Sequence, residues 1–280
     1  MAITECRLLR VFPRKTNWTP TDKLAFVGDP PLFRPSDDLP VRVSVTFTWD
    51  IEEGQRLFRA WSDHYSDVQI GGPAFGDPGA EFEPGRYIKQ GVTITSRGCL
   101  KRCAWCFVPN REGAMRELQV KDGWIVQDNN FLACSMGHIK IVMEMLKRQK
   151  HPAEFKGGLD ATLLTESHRL LFDEIRIKEM WFACDSHAGI KPLERAAKIL
   201  DGISQNKRFC YTMIGYNGET LTDAERRLEH VYSLGFLPFA QLYQSEKRRE
   251  YPQGWRTLAR TWSRPAAFKA CMKKKTATVL

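Results

Sequence analysis

The sequence predicts an α/β protein: a partial (β/α)6 barrel preceded by a small α/β module and followed by a basic extension. Three observations predict it. Beyond Arg86, short apolar runs alternate six times with amphipathic stretches, and such a series implies parallel strands joined by right-handed crossovers. A Gly/Pro/acid-rich stretch, Gly71 to Gly85, breaks both regular structures and so separates that region from a smaller N-terminal part. From Lys247 to Leu280, ten basic residues against one acidic residue carry a net +9, equal to the formal charge of the whole chain. The predicted domains are therefore residues 1–86, 87–246 and 247–280. A length of 280 residues with 42% hydrophobic content suits one sizeable core with an appended module.

In the N-terminal part, Val41 to Thr48 alternates β-branched residues as a strand does. Glu52 to Tyr65 spaces Leu57, Phe58 and Trp61 as a helix, and Val68 to Ile70 is a second short strand. One β-α-β unit results, a small Rossmann-like module. Pro20 to Pro40, with five prolines, is expected to run extended over the surface.

The second region opens with strand Gly91 to Thr95 and then a cysteine loop. Strand Trp124 to Gln127 precedes a helix over Gly137 to Arg148, and strand Ala153 to Lys156 precedes helix His168 to Arg176. Strand Met180 to Ala183 leads to helix Pro192 to Ile203, with Pro192 in the first turn. Phe209 to Ile214 leads to helix Thr222 to Leu234, where Thr222 and Glu225 read as a capping box. Phe239 to Tyr243 is the sixth strand. Sites in such folds lie at the carboxyl ends of the strands, and the cysteine loop follows the first strand.

Three of the eight cysteines crowd into residues 99–106, while Cys6, Cys134, Cys184, Cys210 and Cys271 are scattered. That pattern points to metal binding in a reducing compartment rather than to disulfides. Cys134, Cys184 and Cys210 lie in or beside apolar runs and read as small buried hydrophobes. No window reaches the length of a membrane span, and Met1 to Arg10 lacks the order of a secretory signal, so no membrane and a cytoplasmic location are expected.

Thr95 to Pro109 reads TSRGCLKRCAWCFVP. A loop this short wraps Cys99, Cys103 and Cys106 around one face of a metal cluster, with Gly98 letting the backbone approach the sulfurs. Three ligands leave one iron of a [4Fe-4S] cube open, and an open position marks a reactive centre rather than a closed structural one.

The C-x3-C-x-aromatic-C spacing after the first strand of a six-unit β/α chain resembles the radical S-adenosylmethionine (SAM) superfamily, over roughly Tyr87 to Gln244. The resemblance implies a radical SAM-type partial barrel, with a [4Fe-4S] cluster whose free iron chelates S-adenosyl-L-methionine. It further implies reductive cleavage to methionine and a 5′-deoxyadenosyl radical that takes hydrogen from a substrate, fed by a one-electron reductant such as flavodoxin or ferredoxin. Trp105 stands where that family has an aromatic residue beside adenine.

Other positions carry over singly. Where the family often has a Gly-Gly-Glu-type motif, this chain reads Gln127, Asp128, Asn129, Asn130, Phe131, similar to a D-N-x-F version in the branch with an N-terminal cobalamin domain. Asp128 and Asn130 are the expected amino-group contacts, although Asp and Asn also form turns readily. Asp185 and Ser186 resemble ribose or carboxylate contacts, Ile214 and Gly215 an adenine-side stretch, and Gln241 a ligand-facing residue of the sixth strand. Cobalamin itself is not expected, because residues 1–86 offer one β-α-β unit and a lone His64 far from any Gly.

A second reading makes the cysteines a zinc site closed by Cys134 or His138 in a nucleic-acid-binding module without catalysis; a third makes the chain an electron carrier. The basic tail with Trp255, Trp262 and Phe268 suits a nucleic acid partner through phosphate contacts and stacking, or equally a solvated terminal helix whose aromatics dock on the core. The substrate is left open between a nucleic acid base and a phosphorylated small molecule, among others.

Overall fold

The computed structural model describes residues 7–278 except 37, 78, 80, 246 and 247; side chains of 274–278 are not described. Cys6 and Lys247 lie outside the described residues, as do the side chains of Lys274 and Lys275.

The protein is mixed α/β with two parallel sheets. The first is four-stranded, in the order β2-β1-β3-β4, built from β1 (Leu9–Phe12), β2 (Ala25–Val27), β3 (Val41–Ser44) and β4 (Val68–Gly71). The single β-α-β unit expected from sequence is thus corrected to four strands, and the stretch before Pro40 contributes an edge strand. β1 escapes a periodic reading because all four residues of LRVF are buried, Arg10 included, so no polar alternation marks it. Helix α1 (Ile51–Ser62) covers this sheet with Leu57 and Trp61, which pack with Leu9, Val11, Val41 and Val43. Trp61 donates its indole N–H to the Gly28 carbonyl at 3.1 Å, satisfying its one polar atom.

The second sheet has six parallel strands in sequence order: β5 (Val92–Thr93), β8 (Ile125–Val126), β9 (Ala153–Leu159), β10 (Ile177–Ala183), β11 (Arg208–Ile214) and β12 (Leu237–Leu242). A hairpin of β6 (Ser96–Arg97) and β7 (Arg116–Glu117), with helix α2 (Val108–Arg111) inside it, carries the cysteine loop between β5 and β8. The crossovers use α3 (Met136–Lys147), α4 (Glu166–Asp173), α5 (Ile190–Ile199) and α6 (Leu221–Ser233). Ile139, Val142, Met143, Phe155, Phe172, Met180, Phe182, Leu193 and Phe236 form their common core, and Cys134, Cys184 and Cys210 are buried as expected.

Helix α6 begins one residue earlier than read, and its cap lies two residues earlier. Thr220 is its cap, accepting from the Asp223 amide at 3.2 Å, and Thr222 already lies inside the helix. The chain ends in α7 (Gln253–Trp262) and α8 (Pro265–Thr278). Trp262 and Phe268 are fully buried against Ile214, Leu228 and Ala240, stacked on each other at 5.4 Å, with Trp255 partly buried beside them. Trp262 and Phe268 are therefore packing anchors, unavailable for stacking on bases.

The two sheets are strapped together. Arg10 donates to the carbonyls of Gly85 and Arg86 at 2.9 Å each, and Trp18 packs with Ile88 against Phe82, Val92, Ile94 and Ile125. Among the described residues no helix is long and apolar enough to cross a membrane.

Candidate functional site

The groups singled out in the sequence gather at the carboxyl edge of the six-stranded sheet. Gly98 has φ +80°, and a Cβ there would collide with the Ala114 carbonyl oxygen, so the turn into Cys99 needs glycine. Cys99, Cys103 and Cys106 are half-buried. The Cys106 amide donates to the Cys103 carbonyl at 3.0 Å and the Lys101 amide to the Cys99 sulfur at 3.4 Å, which curls the loop around its sulfurs. Burial pushes the Cys103 and Cys106 thiols up from their ordinary range; each is raised further by its neighbouring cysteines, while Lys101 and Arg111 pull the other way.

Asp128, two residues past the end of β8, is engaged through both carboxylate oxygens. One carboxylate oxygen accepts from the Thr95 amide at 2.6 Å; the other accepts from the Thr95 hydroxyl at 2.5 Å and the Ser96 hydroxyl at 2.8 Å. Its burial pushes the carboxyl group up, and these bonds oppose the shift. The geometry thus makes Asp128 the clamp of the segment that delivers the cysteine loop, with both oxygens held by Thr95 and Ser96. Gly157 on β9 takes part, since a Cβ there would fall on the Asp128 carbonyl oxygen.

Asn130 is placed differently. Its amide nitrogen donates to the Cys99 sulfur at 3.7 Å and to Asp160 at 3.4 Å, while its Oδ1 is buried with no hydrogen-bond partner. Asp160, at the end of β9, went unnoticed in the sequence. Burial works against its charge, but Lys101 at 2.8 Å and the Thr162 hydroxyl and amide hold its carboxyl below the usual range.

Trp105 lies beside Asp185, two residues past the end of β10, and meets the Tyr216 ring edge-on at 5.4 Å; Tyr216 in turn meets Tyr243 at 4.8 Å. Asp185 also accepts from the Met213 amide at 2.9 Å, and burial pushes its carboxyl up. Among the described residues the Ser186 and Gln241 side chains make no hydrogen bond, and Gln241 is exposed. The Ile214 side chain faces the helices in the core, away from the rim. Gly215 has its amide on Glu219 at 2.9 Å and its carbonyl under Tyr251 and Arg249.

The rim is held from below by Arg227 of α6, which sequence reasoning missed. Only 2% of its side chain is exposed; it donates to the carbonyls of Cys184 at 2.6 Å and Met213 at 2.7 Å and pairs with Glu219. An arginine at a helical core position was its available signal.

His138, the other candidate zinc ligand, lies 3.7 Å from Glu117, and the buried Cys134 thiol is pushed up to about 12. Among the described residues no group of three His, Cys, Asp or Glu side chains converges to hold a metal ion.

Set beside known proteins, the chain matches no protein-family model, and no curated protein matches it.

Proposed function

We propose that the chain is a radical SAM enzyme whose second region is a partial barrel, with a [4Fe-4S] cluster on Cys99, Cys103 and Cys106 and S-adenosyl-L-methionine beside it. The observation that carries this is the buried, partnerless Oδ1 of Asn130 on a side chain whose nitrogen already touches Cys99. An orphaned buried acceptor calls for a donor, and the ammonium of an amino acid ligand next to the thiolates supplies one. Three thiols, spaced three and then two residues apart on one loop, match in number a cube that keeps one iron open.

When bound, the reduced cluster and SAM supply a 5′-deoxyadenosyl radical that takes hydrogen from substrate. The chain's own residues bind and orient. Asp128 fixes the loop, Trp105 beside Tyr216 and Tyr243 offers aromatic surface for adenine, Ser186 and Gln241 offer free polar groups, and Arg227 keeps the rim in register. A one-electron reductant of the flavodoxin or ferredoxin kind completes the cycle.

Anaerobic reconstitution is expected to give about four irons per chain with absorption at about 400 nm and dithionite-dependent 5′-deoxyadenosine. Cys103→Ala loses all three. A colourless protein holding zinc, or an iron protein that never releases 5′-deoxyadenosine, sinks the proposal.

A further inference from the structure

A cavity of about 320 Å³ lies where the carboxyl ends of both sheets meet. Phe12 and Arg14 come from the end of β1, Ser44 and Thr46 from that of β3, and Ile94, Gln127 and Asn129 follow β5 and β8. Another part of its wall is the segment that brackets the cysteines, through Arg97, Arg111 and Glu112. Parallel α/β sheets bind ligands at this edge, and the volume is that of a small-molecule site. Asn129 faces it from between the clamp Asp128 and the thiol contact Asn130, so the cavity and the cysteines share one stretch of chain.

The lining defines the chemistry it accepts. Trp18, Phe47 and Tyr87 supply flat apolar surface. The Gln127 and Asn129 amides are half-buried, and among the described residues neither side chain makes a hydrogen bond; such amides read the donor and acceptor edge of a heterocycle. Arg14 is paired with buried Asp50, while Arg97 and Arg111 share the buried Glu112 at 3.9 and 2.6 Å. Three guanidinium groups against two carboxylates leave positive charge in excess, and Nε of both Arg97 and Arg111 is buried without a partner. Guanidinium forks match carboxylate and phosphate oxygens.

We infer that this cavity is the substrate pocket and that it takes a free, planar heterocycle bearing a phosphate or a carboxylate. Its role as a substrate pocket rests on the radical SAM reading; the binding itself does not. The full-length protein, both cluster-free and reconstituted, is titrated by calorimetry with nucleoside monophosphates, with nicotinate and orotate, with the uncharged nucleosides and nicotinamide, and with inorganic phosphate. At least one anionic heterocycle is expected to bind about tenfold tighter than its uncharged counterpart and than inorganic phosphate, about 1.4 kcal/mol. Which arm binds distinguishes phosphate from carboxylate. Gln127→Ala and Asn129→Ala, which remove no hydrogen bond of the fold, should each weaken it about fivefold at unchanged melting temperature. If neither anionic arm binds, or binding ignores both substitutions, the pocket assignment is overturned even where iron and 5′-deoxyadenosine are intact. Binding that persists in Cys103→Ala supports the pocket on its own, whatever becomes of the cluster.

Discussion

The two parallel sheets present the same edge to one cavity yet are built by different means. In the six-stranded sheet every crossover from β8 onward runs through a helix, and the polar groups at its rim are tied down by Asp128, Asp185 and Arg227. In the four-stranded sheet only β3 and β4 are joined by a helix; β1, β2 and β3 are linked by loops, and the one between β1 and β2, with Arg14, Thr16 and Trp18, becomes cavity wall. A helix behind each strand fixes the rim for chemistry, whereas loops free it to shape a binding surface.

The contrast is broken most forcefully through the smaller core. Trp61→Ala removes a fully buried ring from under the four-stranded sheet and should cost about 3 to 5 kcal/mol. In urea, that sheet is expected to melt in an earlier, separate transition. A single coincident transition by fluorescence and circular dichroism would show that the straps at Arg10 and Trp18 make the sheets one folding unit.

Asp128→Asn acts on the other side. It sets an amide against donors that now face two carboxylate oxygens, at a cost of about 2 kcal/mol. Iron retained after reconstitution should fall while the early transition of the smaller sheet stays put. Full iron with an unshifted urea midpoint would remove Asp128 from its role as clamp.

The smallest effect sharpens the helix-backed side. His168 caps α4 by accepting the Thr165 amide on Nδ1 at 3.2 Å, and burial lowers its pKa from 6.5. The unfolded chain therefore takes up the proton first. The stabilisation is complete above about pH 6.5 and is lost as pH falls through the lower folded value. Thermal melts from pH 7.5 to 5 should show a drop that His168→Asn lacks; equal slopes in the two proteins would dismiss it.

What could be read from sequence follows from how local each signal is. The order of the six strands and the cysteine loop rest on short-range periodicity and spacing, and their elements stand where expected. β1 did not show because a buried arginine sits inside it, its charge met by Asp22 and by carbonyls more than seventy residues away. The clamp role of Asp128 is not legible in the sequence, because its three donors on Thr95 and Ser96 lie more than thirty residues away along the chain. Ile214 sat in the right stretch, but strand alternation turns its side chain to the core.

The missing side chain at position 157 reaches further than its own strand. Because β9 passes so near the carbonyl of the clamp, even an alanine there would have to push aside the backbone that carries the loop-holding carboxylate. A saturation survey of the chain should therefore find this glycine as intolerant of replacement as the cysteines themselves, although no ligand would ever touch it.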